Sequence, residues 1–165
     1  MNLKEPAIEK MKDIFGTDEK RIEHALKVLN YAEEILSGEK MTGSEAEVVI
    51  LTAILHDIGI HEAERKYNSN SGRYQEIEGP PIAKAILEAL RLDSEIVERV
   101  CYIIGGHHTW SKNDGKDFQI IWEADMLVNI QDEGVECFGP NIKSVIDKNF
   151  KTPTGKKLAQ ETLNT

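Results

Sequence analysis

The fold is decided by the stretch Val48-Val49-Ile50-Leu51-Thr52-Ala53-Ile54-Leu55-His56-Asp57-Ile58-Gly59. Up to Leu55 its residues are apolar nearly all round, which indicates a central, buried helix rather than an amphipathic surface helix. Ser44 and Glu47 form a capping-box pattern, which predicts that this helix begins at Ser44. A histidine and an aspartate follow at once, so two residue types that bind metals stand at the end of the most apolar helix.

The remaining sequence has the same helical period, and the alternation typical of strands is scarce. Glycine, proline and small polar residues separate the periodic segments. Pro80-Pro81 suit the first turn of a helix, where a missing amide hydrogen costs little. We therefore predict an all-α fold, a helical bundle of about six to eight helices. The predicted helical segments are 3–15, 17–36, 44–57, 62–66 as a short turn, 80–90, 93–105, 117–132, 135–150 and 153–163.

Length and composition are those of one soluble globular domain. Of the 165 residues, 40% are hydrophobic and 30% are charged, which is an ordinary balance. No apolar run approaches the roughly 20 residues that a membrane helix needs, and the N-terminus lacks the pattern of a secretory signal. We therefore expect a single compact domain over residues 1–165, in the cytoplasm and without a membrane partner.

The acidic balance limits the partners that this chain can bind. The formal net charge is −9, and a uniformly negative field disfavours nucleic-acid polymers and anionic membranes. A small phosphorylated substrate stays compatible, because a metal ion and a few basic residues can invert the potential inside one cleft. The two cysteines, Cys101 and Cys137, form neither a zinc-finger nor a disulfide framework, and we expect reduced thiols.

Ionisable residues inside apolar helices are the strongest functional signal. Burying an imidazole or a carboxylate without a partner costs about 1–3 kcal/mol for a neutral group and more for a charge. Taken singly, each residue is more often a hydrogen-bonded core histidine or a capping aspartate. Together they predict one shared divalent ion, since two imidazole nitrogens and two carboxylate oxygens suit manganese, cobalt, nickel, iron or zinc. The four candidate metal ligands are His24, His56, Asp57 and Asp125.

Four blocks, in this order, resemble the HD-domain metal-dependent phosphohydrolase superfamily. They are Arg21-Ile22-Glu23-His24, Leu51-Thr52-Ala53-Ile54-Leu55-His56-Asp57-Ile58-Gly59, Gly106-His107-His108-Thr109 and Glu123-Ala124-Asp125. The resemblance covers roughly residues 20–132 and implies an all-helical metal-site core, with the helices of residues 135–165 packed on it. It also implies hydrolysis of phosphate esters, often of nucleotides, and it places the same four residues at the ligand positions of a divalent ion, magnesium included.

Two departures from the family pattern bear on the number of ions and on the substrate. Ile60 stands where many members carry a lysine that can meet a phosphate. Gln75 stands where members with two metals often carry a histidine, which favours the one-metal, deoxynucleotidase-like arrangement. His107 and His108 still match the additional histidine positions of the two-metal branch. A second metal bound through His107 and His108 therefore stays open.

Candidates for catalysis and substrate binding surround the histidine–aspartate pair. Asp57, His108 and His61 are the candidate catalytic residues, with His108 or His61 as a general acid toward the leaving oxygen. Trp110 and Trp122 could stack on a base, although core packing is the commoner role of a tryptophan inside a helix. The candidate substrate contacts are Arg73, whose guanidinium can bind two phosphate oxygens at once, together with Lys66, Arg65 and His107.

The leading hypothesis is a metal-dependent phosphohydrolase that acts on a small phosphorylated metabolite, with a nucleotide as the favoured substrate. One alternative is a non-catalytic module that binds a nucleotide signal in the same cleft, for which the absence of a lysine at position 60 leaves room. Another alternative is an HD-type oxygenase with two irons, the second held by His61, His107 and His108. The resemblance also leaves a homodimer open.

Overall fold

The structure, a computed structural model, describes residues 2–163, and these residues form an all-helical fold with no strand. The described part of the chain has nine α-helices, one more than expected. The additional one is α4, which was predicted as a short turn but continues until Asn68 adopts a left-handed conformation. The helices are α1 (Lys4–Phe15), α2 (Glu19–Gly38), α3 (Gly43–Leu55), α4 (Ile60–Tyr67), α5 (Gly72–Ala89), α6 (Ser94–Ile104), α7 (Lys116–Glu133), α8 (Ile142–Asn149) and α9 (Pro153–Thr162).

Helix α3 lies at the centre of the bundle, as its apolar sequence predicts. It packs against α1, α2, α6 and α7, and from Val48 to Leu55 all its residues except Ile50 are buried. The predicted capping box is wrong. Gly43 has a φ of 71°, a value that favours glycine, and begins the helix one residue before Ser44. Ser44 therefore lies inside the first turn, and no side chain caps this helix.

The prediction that a helix begins at Pro80 is wrong. Helix α5 begins at Gly72 and passes through Pro80 and Pro81. The prolines remove two amide donors, which normally weakens a helix interior. Side-chain contacts of the first two turns compensate: Gln75 donates to Asn70 O at 2.7 Å, and Glu78 accepts from Lys66 at 3.0 Å. The additional turns bring α5 against the segment that follows α3.

The C-terminal helices α8 and α9 pack against each other, and α9 also contacts α2 and α7. The predicted C-terminal segment 135–165 extends to residues 164 and 165, which lie outside the described residues. No helix between residues 2 and 163 combines the length and the apolar character that a membrane crossing requires. Cys101 and Cys137 are both free, as the sequence predicts.

Candidate metal centre

Three core elements bring the four predicted metal ligands to one point. His24 lies on α2, His56 and Asp57 lie in the turn after α3, and Asp125 lies on α7. His24 Nε2 is 3.1 Å from Asp125 Oδ1, 3.3 Å from His56 Nε2 and 3.3 Å from Asp57 Oδ2. His56 Nε2 is 3.3 Å from Asp125 Oδ1 and 3.4 Å from Asp57 Oδ2. The packing of α2, α3 and α7 thus creates the cluster.

The turn after α3 is held by close backbone packing. Gly59 lies against α5 so closely that a Cβ atom added to it would be 2.5 Å from the backbone nitrogen of Gly79. Backbone bonds from Ile58 N to Leu55 O and from Ile60 N to Asp57 O close the turn. The backbone that carries the histidine–aspartate pair is therefore fixed from two sides.

Hydrogen bonding fixes the orientation of the His56 ring. The residue is completely buried, and its Nδ1 is 2.8 Å from Ala53 O. A carbonyl oxygen only accepts hydrogen bonds, so Nδ1 carries a hydrogen and Nε2 is the atom that faces the cluster, where the neutral ring offers a lone pair to a metal. The side chains of His24 and Asp57 retain 15% and 13% exposure, which opens the cluster to solvent on one side.

The electrostatics of the cluster require positive charge. Burial opposes protonation of His56, but the carboxylates of Asp57 and Asp125 outweigh it and raise the His56 pKa to about 10. Burial likewise opposes ionisation of Asp57 and Asp125, yet His56 and the other imidazoles hold the pKa of both carboxyls below its usual range. A divalent cation would supply this charge without any proton.

The spacing of the donor atoms also fits a metal ion. Adjacent ligand atoms at about 2.1 Å from an octahedral ion are roughly 3.0 Å apart. The observed separations of 3.1–3.4 Å need only a small contraction. Two imidazole nitrogens and two carboxylate oxygens are a common donor set for divalent ions of the first transition row. The residues present therefore fit a metal.

A second group of potential ligands shares Asp57. Its Oδ1 is 3.3 Å from His107 Nε2, on the side opposite the oxygen that faces His24. Ligand atoms of Asp57, His107 and His108 all lie within 4.8 Å of one another. Gln75 occupies the place beside them, with its Oε1 3.0 Å from His108 Nε2. The amide of Gln75 thus stands where a histidine would add a ligand to a second metal site.

Residues 21–133, more than half of the chain, match the sequence model of the HD domain. The chain belongs to the HD domain family. HD domains bind divalent metals, and the histidine–aspartate groups of this HD domain could hold one.

The HD domain has a relative in Clostridium beijerinckii, an uncharacterized protein that is 32% identical over 106 residues. That match covers 64% of this chain and 62% of the relative, so the chain spans less than two thirds of the relative's length. A crystal structure from an uncultured Thermotogales bacterium, described as a predicted HD superfamily hydrolase, is similar with a TM-score of 0.69. The likeness covers 99% of this chain and 92% of that chain at 24% identity, and it supports the fold.

The candidate metal centre opens into a cleft of about 580 Å³. Ile60, which stands where the resemblance led us to expect a lysine, lines it. The basic residues in the lining are Lys20 and Arg21, which sequence reasoning did not select. A signal existed, because Arg21 lies one helical turn before His24 and so shares its side of α2. The full lining is Asp18, Lys20, Arg21, His24, Asp57, Ile60, Asn70, Gln75, His108, Asp125, Asn129, Asp132, Glu133 and Phe138.

The predicted phosphate contacts lie elsewhere. Arg65 pairs with Glu62, Lys66 pairs with Glu78 at 3.0 Å, and Arg73 lies over the Tyr74 ring. None of the three basic residues lines the cleft. The structure therefore does not bring them to the metal centre, and their role in substrate binding stays a prediction.

The histidines outside the ligand cluster occupy different places. His61 Nε2 is 2.8 Å from Asp18 Oδ2, behind the cleft wall rather than at the ligands. His108 lines the cleft, and desolvation by its surroundings, followed by the neighbouring His107, lowers its pKa to about 4. The His108 ring is therefore neutral at pH 7 and can offer a hydrogen-bond donor or a metal ligand. His107 is buried, with Nδ1 2.7 Å from Ile104 O.

Proposed function

We propose that this protein is a metal-dependent phosphohydrolase that cleaves a phosphate ester of a small metabolite, with a nucleotide as the favoured substrate. The observation that carries the proposal is the convergence of His24, His56, Asp57 and Asp125 on one point at the base of a cleft. When bound there, the ion would supply an activated water and bind a phosphoryl oxygen. Membership of the HD domain family and the hydrolase description of the similar structure support this reaction class.

The proposed cofactor is one divalent ion, namely manganese, cobalt, nickel, iron, magnesium or zinc. Two imidazole nitrogens in the donor set favour a transition metal over magnesium. Gln75, in place of a further histidine, favours a single ion. Asp57, His107 and His108 could nevertheless hold a second one, and the number of ions per chain is a direct test of this arrangement.

Side chains near the candidate metal centre are proposed to bind the phosphate, orient the attacking water and contact the leaving oxygen. Arg21 is the proposed phosphate contact, since it lines the cleft and its guanidinium is oriented by Asp18 at 2.9 Å and by Glu64 at 3.2 Å. Lys20 adds positive charge on the same side. Asp57 is proposed to orient the attacking water. His108 is proposed to turn the Nε2 hydrogen that now faces Gln75 Oε1 toward the leaving oxygen.

The size of the cleft and the charge of the chain support a small substrate. The cleft volume of about 580 Å³ lies within the range of small-molecule sites, roughly 300–1,000 Å³. The net charge of −9 disfavours a nucleic-acid polymer. We propose a small phosphorylated metabolite as the partner and the cytoplasm as the location.

Elemental analysis of the purified protein, followed by a panel of nucleotides and sugar phosphates with the metal found, tests the proposal. We expect about one ion per chain and phosphate release that falls at least ~100-fold in His56→Ala and Asp57→Ala. Metal-loaded protein that binds a nucleotide tightly but releases no phosphate would instead support the non-catalytic alternative.

A second candidate function, oxygen chemistry with two irons, draws on the group Asp57, His107 and His108. Metal content distinguishes it from hydrolysis. Two irons per chain would favour the oxygenase, whereas one manganese, cobalt or nickel ion would favour the hydrolase.

A further inference from the structure

One side of α7 carries a proposed metal ligand and an apolar wall together. Trp122, Asp125, Met126 and Asn129 follow one another at helical spacing and so share one side of the helix. They line a second cavity, of about 120 Å³. This cavity shares Asp125, Asn129, His108 and Phe138 with the larger cleft. A group bound in it would therefore lie directly beside the metal ligands.

The Trp122 ring is oriented before any ligand binds. Its Nε1 donates to Asn149 Oδ1 at 3.2 Å, and Asn149 Nδ2 in turn donates to Val145 O at 2.8 Å. The ring also meets Trp110 edge to face, with centroids 4.9 Å apart. Because its one polar atom is already bonded, Trp122 offers the cavity an apolar aromatic surface.

The opposite wall is Phe138, in the segment between α7 and α8. Phe138 is half-buried and belongs to neither hydrophobic core cluster, yet it lines both the cavity and the cleft. Met126 completes the apolar lining with a flexible side chain that adapts to the shape of its neighbours. Two aromatic rings and a methionine thus surround a space next to a charged site.

The volume and the polar edge of the cavity narrow the choice of ligand. An apolar cavity of roughly 150 Å³ accepts benzene, so about 120 Å³ suits one six-membered ring better than two fused rings. Asn129 is half-buried, and no group within residues 2–163 hydrogen-bonds its side chain. Its amide can donate and accept, which matches the edge of a ring that carries both carbonyl and N–H groups.

We infer that this cavity binds the ring of the ester's organic group, and that the preferred substrates carry a single six-membered heteroaromatic ring, as in a pyrimidine nucleoside monophosphate. The inference rests on the proposed phosphohydrolase function. It adds that Trp122, Phe138 and Asn129 determine specificity, whereas the metal ligands and Arg21 act on the phosphate.

The test compares uridine 5′-monophosphate, adenosine 5′-monophosphate and ribose 5-phosphate on the metal-loaded protein. We expect kcat/KM for the uridine ester to exceed that of the other two by about tenfold or more, since a well-fitted ring contributes at least ~1.4 kcal/mol of discrimination. Dissociation constants from titration calorimetry, which do not depend on turnover, should follow the same order.

Two variants test whether the cavity is responsible for the preference for uridine monophosphate. Phe138→Ala and Asn129→Ala should lower the ratio of kcat/KM for uridine monophosphate over ribose 5-phosphate toward one, with the Kd ratio changing in parallel. Ile77→Ala is the matched control, because Ile77 is an exposed hydrophobic residue that lines neither the cavity nor the cleft. It should keep the wild-type ratio, and thermal melts should show that all three variants fold.

The outcomes separate the two proposals. Equal kcat/KM for the three esters, or a ratio unaffected by Phe138→Ala and Asn129→Ala, would overturn the ring cavity and leave the phosphohydrolase intact. No turnover of any ester with any metal would refute the phosphohydrolase. In that case the Kd values decide: equal binding of uridine monophosphate and ribose 5-phosphate overturns the ring cavity, and tighter binding of the uridine ester supports it.

Discussion

His24 Nε2 lies 3.1 Å from Asp125 Oδ1, although 101 residues separate the two side chains along the sequence. Helices α2 and α7 pack against each other and against α3, so the contact depends on the bundle and not on a local turn. An ion bound among the four ligands would therefore cross-link α2, α7 and the turn after α3, and its binding free energy would add to the stability of the folded state.

Metal addition should stabilise the folded protein. At an ion concentration 100-fold above Kd the free energy of unfolding rises by about 2.7 kcal/mol, which corresponds to roughly 5–10 °C in Tm for a chain of this size. We expect His24→Ala to abolish most of this rise in a thermal melt. His61→Ala is the matched control, because His61 lies away from the ligand cluster. A rise lost equally in both variants would contradict the ligand assignment.

Gly59→Ala should destabilise the protein by about 3 kcal/mol, at the upper end of overpacking effects. The new Cβ would lie 2.5 Å from Gly79 N and 3.0 Å from Gln75 O. Both are backbone atoms, which cannot relieve the clash by a change of rotamer. Urea denaturation measures the change. In Gly115→Ala the added Cβ meets only the side chains of Arg99 and Asp117, at 3.1 Å, so the loss there should be under about 1 kcal/mol. Equal losses would show that the contact with α5 is unimportant.

Glu123→Ala should cost about 3 kcal/mol or more, because it leaves several buried donors without an acceptor. Glu123 is fully buried and accepts from Gln119 Nε2, from the backbone of Lys151 and Thr152, and from the Thr152 hydroxyl. Glu123→Gln retains one oxygen for these donors and should cost less. A Glu123→Ala variant with wild-type unfolding free energy would show that this network does not hold the segment before α9 to α7.

The Asp18 carboxyl should titrate at low pH. A hydrogen bond from His61, opposed by partial burial and aided by Arg21, lowers its pKa from 3.8 to about 2. A folded-state pKa below the unfolded value stabilises the protein above pH about 4, and this contribution is lost as the pH falls through about 2. NMR titration should show the Asp18 pKa rising in His61→Ala while staying below 3.8, since Arg21 remains. An unchanged value would contradict the role of His61.

Arg21→Ala should lower kcat/KM of the proposed hydrolase by about tenfold or more, since a charge-assisted contact with phosphate is worth ~1.5–3 kcal/mol. Arg73→Ala is the direct comparison, because Arg73 was the sequence-based choice and does not line the cleft. A larger loss in Arg73→Ala than in Arg21→Ala would restore the sequence-based assignment. Steady-state kinetics on one ester decides between them.

Sequence periodicity was sufficient for the helical class and for the central position of α3, because a helix that is apolar all round can only be buried. Tertiary contacts decided the details that it missed. Pro80 and Pro81 lie inside α5 because contacts of Gln75 and Glu78 hold the preceding turns. Helix α3 begins at Gly43 and not at Ser44, the residue of the predicted capping box. Neither effect is visible in local propensity.

The four metal ligands were predicted from the energetic cost of burying ionisable side chains, and the fold brings these four residues together. The choice of phosphate contacts was weaker, because proximity in sequence to Asp57 does not give proximity to the cleft. Arg65 and Lys66 lie on α4, pair with glutamates and do not line the cleft. Arg21 also pairs with carboxylates, Asp18 and Glu64, but it lines the cleft from α2. Only the packing of α2 against α7 places Arg21 and Asp125 in the lining of one cleft.

The proposed metal ligands and Phe138 lie in different parts of the fold, and this separation has an evolutionary consequence. The four proposed ligands come from α2, α7 and the turn after α3, elements whose other residues form much of the packed core. Phe138 comes from the connection between α7 and α8, outside both core clusters. Changes in that connection should therefore alter the proposed ring cavity at little cost to stability. If the proposed phosphohydrolase function holds, descendants of one such scaffold would differ in substrate while keeping the same metal ligands.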